Sequence, residues 1–334
     1  MTTGRVEMMR YESEVLKGNA PGDPHVRTVP VYLPPSYDRE TSRRYPVAYV
    51  LTGFTGRGRM LLNDNLWVPP LDQRMDALIA SGCGEMILVM PDCATRFGGS
   101  QYLDSTATGR YETHLVSELV PHVDRTFRTR AARDQRAILG KSSGGYGAIV
   151  QAMRHPDVFG AVACHSGDMM FEYCYLGDVP KFCARVQNAG GLTAWFGAFE
   201  AARQKKQDDM VALNILAMAA CYSPNPASPS FGIDLPCDLE TGAFRPEVWQ
   251  RWLTLDPLRM LPGHAEALRS MKLLYLDCGT KDEWNLHLGM RLFARELDRL
   301  GIRHEKEEFD DGHMNVQYRY DVSLPKLAHG LGAP

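Results

Sequence analysis

The chain has 334 residues, 44% of them hydrophobic and 23% charged, with a formal net charge of −3. That balance belongs to a folded globular protein and excludes a disordered or fibrous chain. Neither Lys/Arg runs nor acidic tails stand out, so nucleic acid and anionic membrane surfaces are not expected as partners, and a small molecule is.

The N-terminal MTTGRVEMMRYESEV lacks the charged-then-apolar pattern of a secretion signal, and no apolar run reaches the ~18–20 residues of a membrane span. A cytoplasmic protein is expected, and self-association into a homo-oligomer is compatible with the sequence. Downstream, VRTVPVYLPP (26–35) and YPVAYVLTG (45–53) read as strands, LDQRMDALIAS (71–81) as a helix and EMILVMPD (85–92) as a buried strand. A helix is expected over 111–127, a strand over 136–140, a helix over 144–154 and a strand over 160–167. Strands alternating with helices imply a mostly parallel sheet covered on both faces.

Beyond Gly167 the alternation stops. Helical pieces such as MVALNILAMAA (210–220) and a Pro-rich stretch, YSPNPASPSFGIDLP (222–236), take its place. It resumes with a strand over 271–279, a helix over 286–301 and a strand over 303–309. The expected organisation is a single core formed by 1–165 and 263–334, with a long cap inserted over 166–262. The eight cysteines (83, 93, 164, 174, 183, 221, 237 and 278) show no CxxC spacing, and several lie in apolar runs, so they read as buried free thiols. With no HExxH pair and no EF-hand loop either, neither a metal nor a cofactor is expected.

One stretch, RAILGKSSGGYGAI (136–149), admits two chemistries. Gly140-Lys141-Ser142 is how a phosphate-binding P-loop ends. That motif also needs a glycine five residues before its Gly-Lys-Ser, and the residue there is Gln135, next to the expected strand. Gly140-x-Ser142-x-Gly144 instead fits a strand, a tight turn with serine at its apex, and a helix packed behind it. The small residues on either side keep such a turn free of clashes.

A serine hydroxyl needs a base and a group to orient that base. In this architecture they follow in the order Ser, Asp, His. Asp282 in LDCGTKDEWNLH falls just past the end of one strand, and His313 in FDDGHMN just past the next. Ser142 is therefore the expected nucleophile, His313 the base and Asp282 the orienting acid. Asp277, Asp310 and Asp311 are fallback acids, and Asp282 could instead cap the following helix. His165 also follows a strand end but precedes every candidate acid. The oxyanion donors are expected to be the backbone N–H groups of Ser143 and of Phe54 in VLTGFTG (50–56).

The motifs VYLPPSYD, YVLTGFTG, MPD, GKSSGGYGA and DDGH together resemble the Putative esterase family of α/β hydrolases. That family includes esterase D (S-formylglutathione hydrolase), enterochelin-esterase-like and feruloyl-esterase-like enzymes, and the antigen 85 mycolyltransferases. The resemblance covers about 26–167 and 271–318 and implies an α/β-hydrolase fold. By position, Ser142, Asp282 and His313 match the family triad, while Phe54 and Ser143 match its oxyanion donors. GGSQYLDSTATGRYE (98–112) looks like the family's loop after the fourth strand, which borders the active site. Two positions depart: esterase D proteins carry Cys where this chain has Thr55 or Gly56, and His where it has Lys141.

Loops beside these residues supply Trp67, Phe97, Tyr102, His165, Met169, Met170, Phe171 and Trp284, of which Trp67, Tyr102, His165, Met170 and Trp284 are the expected substrate contacts. Asp104, Asp168 and Asn315 are candidate polar contacts. Aromatic and Met side chains suit an aryl or short-to-medium acyl ester. The expected activity is that of a serine carboxylesterase working through an acyl-enzyme. An acyltransferase on the same triad and a non-catalytic binding protein on the same fold are the alternatives.

Overall fold

The computed structural model describes residues 3–333. Its strands are β1 (Arg5–Glu12), β2 (Val26–Leu33), β3 (Val47–Leu51), β4 (Ile87–Val89), a small hairpin β5 (Asp104–Ser105) and β6 (Gly109–Arg110), β7 (Arg136–Lys141), β8 (Ala161–His165), β9 (Leu273–Gly279) and β10 (Glu305–Phe309). All but the hairpin join one sheet in the order β1-β2-β4-β3-β7-β8-β9-β10. Neighbours from β4 to β10 are parallel, whereas β2 pairs antiparallel with both β1 and β4.

The buried strands are apolar throughout because helices cover both faces of a parallel sheet. Val47, Tyr49 and Leu51 enter one hydrophobic cluster and Ala48 and Val50 the other, as a period of two requires. The core helices before β8 are α1 (Leu71–Ala80), α2 (Tyr111–Thr113), α3 (Val120–Thr126) and α4 (Ser143–Arg154). Residues 143 to 153 of α4 are all buried, which suits a mostly apolar helix, and its buried Gln151 donates to Tyr102 O at 2.7 Å.

Between β8 and β9 the chain is helical: α5 (Phe171–Cys174), α6 (Val179–Asn188), α7 (Leu192–Ala201), α8 (Gln207–Tyr222), α9 (Pro246–Leu253), α10 (Pro257–Met260) and α11 (Ala265–Arg269). Phe171, Phe182, Trp195, Ile215 and Trp252 from this stretch are fully buried in the same cluster as one sheet face. The helices are therefore packed onto the core rather than held away from it. The last of them, α11, rests on α4. The chain then closes with α12 (Leu286–Arg299) and α13 (Tyr320–Gly330). None of the described helices is long and apolar enough to cross a membrane.

One element was not anticipated, and one expectation is corrected. The N-terminal stretch, read only for its lack of a leader pattern, forms β1, paired with β2 from Arg5↔Leu33 to Glu12↔Val26. Only Met9 of this edge strand is buried, so its apolar alternation is faint. Among the cysteines, six are free, but Cys183 of α6 and Cys237 are paired in a disulfide. They are separated by 54 residues, and only the packing of the inserted helices brings them together.

Candidate active site

β7 ends at Lys141 and α4 begins at Ser143, so Ser142 alone makes the turn, with φ 59° and ψ −128°. A non-glycine residue held there costs on the order of 1–3 kcal/mol and persists only when its surroundings enforce it. The enforcement is visible. Ser142 N–H donates to His165 O at 2.9 Å, and Tyr146 N–H donates to Ser142 O at 2.9 Å. A Cβ on Gly140 would stand 2.5 Å from Gly144 O, and one on Gly144 would strike the backbone of Leu51, so both must be glycine.

Asp282 sits on the turn that leaves β9. Its Oδ2 lies 2.7 Å from His313 Nδ1, while Oδ1 accepts the N–H groups of Trp284 (3.0 Å) and Leu286 (3.4 Å). The carboxylate thus both supports the start of α12 and is bonded to the histidine, a position compatible with either role open to it in the sequence. Burial by itself raises the pKa of this carboxyl. The His313 hydrogen bond and charge, with the two amide donors, outweigh burial and hold it below the usual carboxylate range.

His313 is fixed from three sides. Asp282 takes one ring nitrogen, its own N–H donates to Glu283 Oε2 at 2.7 Å, and the Trp284 ring stands edge-on with centroids 4.7 Å apart. The loop carrying it lies across the end of β9, where a Cβ on Gly279 would stand 2.6 Å from Gly312 O.

Ser142, Ser143, His313 and Phe54 line one cavity of about 290 Å³. No hydrogen bond joins Ser142 to His313 among the described residues, and such contacts often tighten only when substrate binds. The Gly53–Phe54 segment runs against the serine turn, since a Cβ on Gly53 would be 3.3 Å from both Lys141 O and Ser142 Cβ. Thr55 N–H is already bonded to Gly98 O at 2.9 Å. The Phe54 N–H makes no hydrogen bond among the described residues.

The cavity also separates the expected substrate contacts. Trp284 lines it, and so does Asp168. Trp67, Tyr102, His165 and Met170 do not. Trp67 is 84% exposed and lies on the outer surface. Tyr102 is buried, and its hydroxyl donates to Thr52 O at 2.7 Å. His165 is buried between Asp277 and Ser323. Met170 starts α5 in a left-handed conformation, φ 57°, and its N–H donates to Asp256. Phe97, Met169 and Phe171 are packed in the core. Asp104 bonds to Thr113 at the surface, and Asn315 lines a different cavity.

Sequence reasoning missed Tyr175, Met210, Val211, Asn214 and Leu286 among the other lining residues, together with the polar Asp178 and Gln207. Met210, Val211 and Asn214 lie on α8, whose apolar character was legible but whose contact with the site was not. Among the described residues, no cluster of His, Cys, Asp and Glu is placed to hold a metal ion.

A serine at a strand–turn–helix elbow, with a bonded His–Asp pair at the carboxyl ends of neighbouring parallel strands, defines an α/β hydrolase. The chain belongs to the "Putative esterase" family, whose model matches residues 24–315. Esterase Rv1288 from Mycobacterium tuberculosis is 32% identical over 140 residues, which is 42% of this chain and 28% of that protein. An endo-1,4-beta-xylanase/feruloyl esterase from Xylanibacter ruminicola is 28% identical over 203 residues, 54% of this chain and 26% of the relative. The chain thus spans little more than a quarter of the curated relatives it matches. A solved ferulic acid esterase superposes with a TM-score of 0.65 at 20% identity, covering 99% of this chain and 100% of the other. An S-formylglutathione hydrolase from Agrobacterium tumefaciens gives 0.61 at 18% identity, covering 99% and 97%. At these identities the likeness establishes the fold.

Proposed function

We propose that the protein is a serine carboxylesterase acting through an acyl-enzyme. The observation that carries this reading is the 2.7 Å His313–Asp282 hydrogen bond, on the same cavity as a serine at φ 59°. Membership of an esterase family supports it.

In this reading Ser142 Oγ attacks the ester carbonyl carbon as its proton passes to His313 Nε2. The carbonyl oxygen becomes an alkoxide, which the N–H groups of Phe54 and Ser143 receive; removing one such donor typically costs ~10²–10³ in turnover. The alkoxide collapses, the C–O bond to the alcohol breaks, and the alcohol leaves with the proton from His313. Water then repeats the sequence on the acyl-enzyme and releases the acid. Asp282 fixes the tautomer of His313 and balances its transient charge.

The cavity walls formed by Trp284, Leu286, Met210 and Val211 are apolar and suit an aryl or short-to-medium acyl group. The inserted helices, the cap of this reading, supply α8 as one wall of that pocket. The test is release of p-nitrophenol from a chain-length series of acyl esters, together with a ferulate ester, by the wild type and by Ser142→Ala. Turnover lost in the variant, and fluorophosphonate labelling of the wild type alone, are expected. Turnover surviving in the variant would remove Ser142 from the mechanism.

A further inference from the structure

Two cavities meet at the serine turn, and their chemistry differs. The second, of about 300 Å³, shares with the first only Gly53, Phe54 and Lys141. Its polar lining includes Asn63, Asn65, Asn315, Gln317, Arg74 and Lys141, and no Asp or Glu lines it. Arg74 is occupied, bonded to Asp321 at 2.6 Å. Lys141 is not: its ammonium has no ion pair or hydrogen bond among the described residues. Burial is the largest influence on Lys141 and pulls its pKa below the ordinary lysine value, while Asp282, Glu283 and Cys278 act on it in the opposite direction. A partly buried cation without a partner is costly, and such groups concentrate where a ligand completes them.

We propose that this second cavity seats the alcohol half of the ester, and that the alcohol carries a carboxylate or phosphate that pairs with Lys141. The proposal rests on the esterase reading above and adds the substrate class. Both halves of an ester diverge from the carbon that Ser142 attacks, so each needs its own space. The apolar walls of the first cavity take the acyl group. The side-chain amides of the second offer donors and acceptors for hydroxyls, and Lys141 supplies the charge. Gly140-Lys141-Ser142 thus places a cation one residue before the nucleophile, directed at an anion on the substrate rather than at a nucleotide phosphate.

Acetate release by the full chain at low salt is compared for 1-acetylglycerol, 3-acetylglycerate and 1-acetylglycerol 3-phosphate, which share one acyl group. Monomethyl succinate, followed by methanol release, moves the anion to the acyl side. We expect kcat/KM for at least one anionic alcohol to exceed that for acetylglycerol by about tenfold. The ratio falls toward one in Lys141→Met and in about 0.5 M salt, and it persists in Lys141→Arg. An equal rate on neutral and anionic alcohols, a ratio untouched by Lys141→Met, or a preference for monomethyl succinate instead overturns the proposal. Calorimetry of glycerate and glycerol 3-phosphate with Ser142→Ala protein reads the cavity without turnover. If neither anion binds, the anion site is wrong. Binding that disappears with Lys141→Met, in a protein that hydrolyses none of these esters, supports the anion site and rejects only the esterase reading.

Discussion

His165 Nδ1 lies 2.7 Å from Asp277 Oδ1: the histidine and the carboxylate that compete with His313 and Asp282 for the catalytic roles are bonded to each other. Ser323 Oγ, 2.9 Å from the second ring nitrogen of His165, completes a buried Ser-His-Asp group. Asp277 also accepts from Tyr275 and Arg319. None of the three lines the cavity at Ser142, so the group acts on the frame. It anchors the end of β8, whose His165 carbonyl receives Ser142 N–H.

Asp277→Asn is accordingly expected to act on stability. Removing one partner of a buried ionic network costs about 3–5 kcal/mol. Urea unfolding should show that loss in the midpoint, while kcat of the folded fraction stays within a few-fold of wild type. A normal midpoint with abolished turnover would instead make Asp277 part of the chemistry.

Asp282→Asn should behave in the opposite way. The amide oxygen can still accept from the Trp284 and Leu286 amides, so α12 keeps its start. Its NH2 would favour the wrong tautomer of His313, and a loss of kcat on the order of 10⁴ is expected. Ester turnover and far-UV circular dichroism of the same preparation check both halves of this statement.

Gly53→Ala tests the oxyanion segment. The added Cβ would press on Lys141 O and Ser142 Cβ at 3.3 Å, moving the Phe54 amide by a fraction of an ångström. A misplacement approaching 1 Å can cost about 10²-fold in rate, so a fall in kcat of about 10- to 100-fold with little change in KM is expected. Unchanged kcat would place the second donor elsewhere.

Acid should unfold the protein through its paired carboxylates. Asp277 and Asp282 are both held below the ordinary aspartate value, although burial alone would raise each. The His165 charge and hydrogen bond with Arg319 outweigh burial in the first, and the His313 bond with its charge and amide donors in the second. The unfolded chain binds protons more readily at these groups. Their stabilisation is therefore fully present above the unfolded value of about 3.9 and is lost as pH falls through the lower folded values. Urea midpoints measured from about pH 6 down to about pH 2.5 should drop over the acid end, and the drop should be shallower in Asp277→Asn.

Most of the sheet was legible because its signals lie between neighbours along the chain. The apolar run of 47–51, the glycines around Ser142, and the positions of Asp282 and His313 just past successive strands are local facts, and they place the three residues at one sheet edge before any packing is known. β1 escaped because an edge strand with a single buried residue leaves almost no hydrophobic pattern.

The cavity walls were decided by tertiary structure. Trp67 and Tyr102 are both aromatic loop residues, yet one faces outward and the other is buried with its hydroxyl on Thr52 O, and nothing in their local sequence separates them. Met210, Val211 and Asn214 reach the site only because α8 packs across it, just as Cys183 reaches Cys237 only through the folding of the same insertion. The sequence by itself determined most of the order of core elements and the candidate triad of Ser142, Asp282 and His313, since backbone sterics and side-chain period act over a few residues. Which side chains face the substrate depends on how whole helices dock. Apolar burial drives that docking without direction, so no local pattern records it.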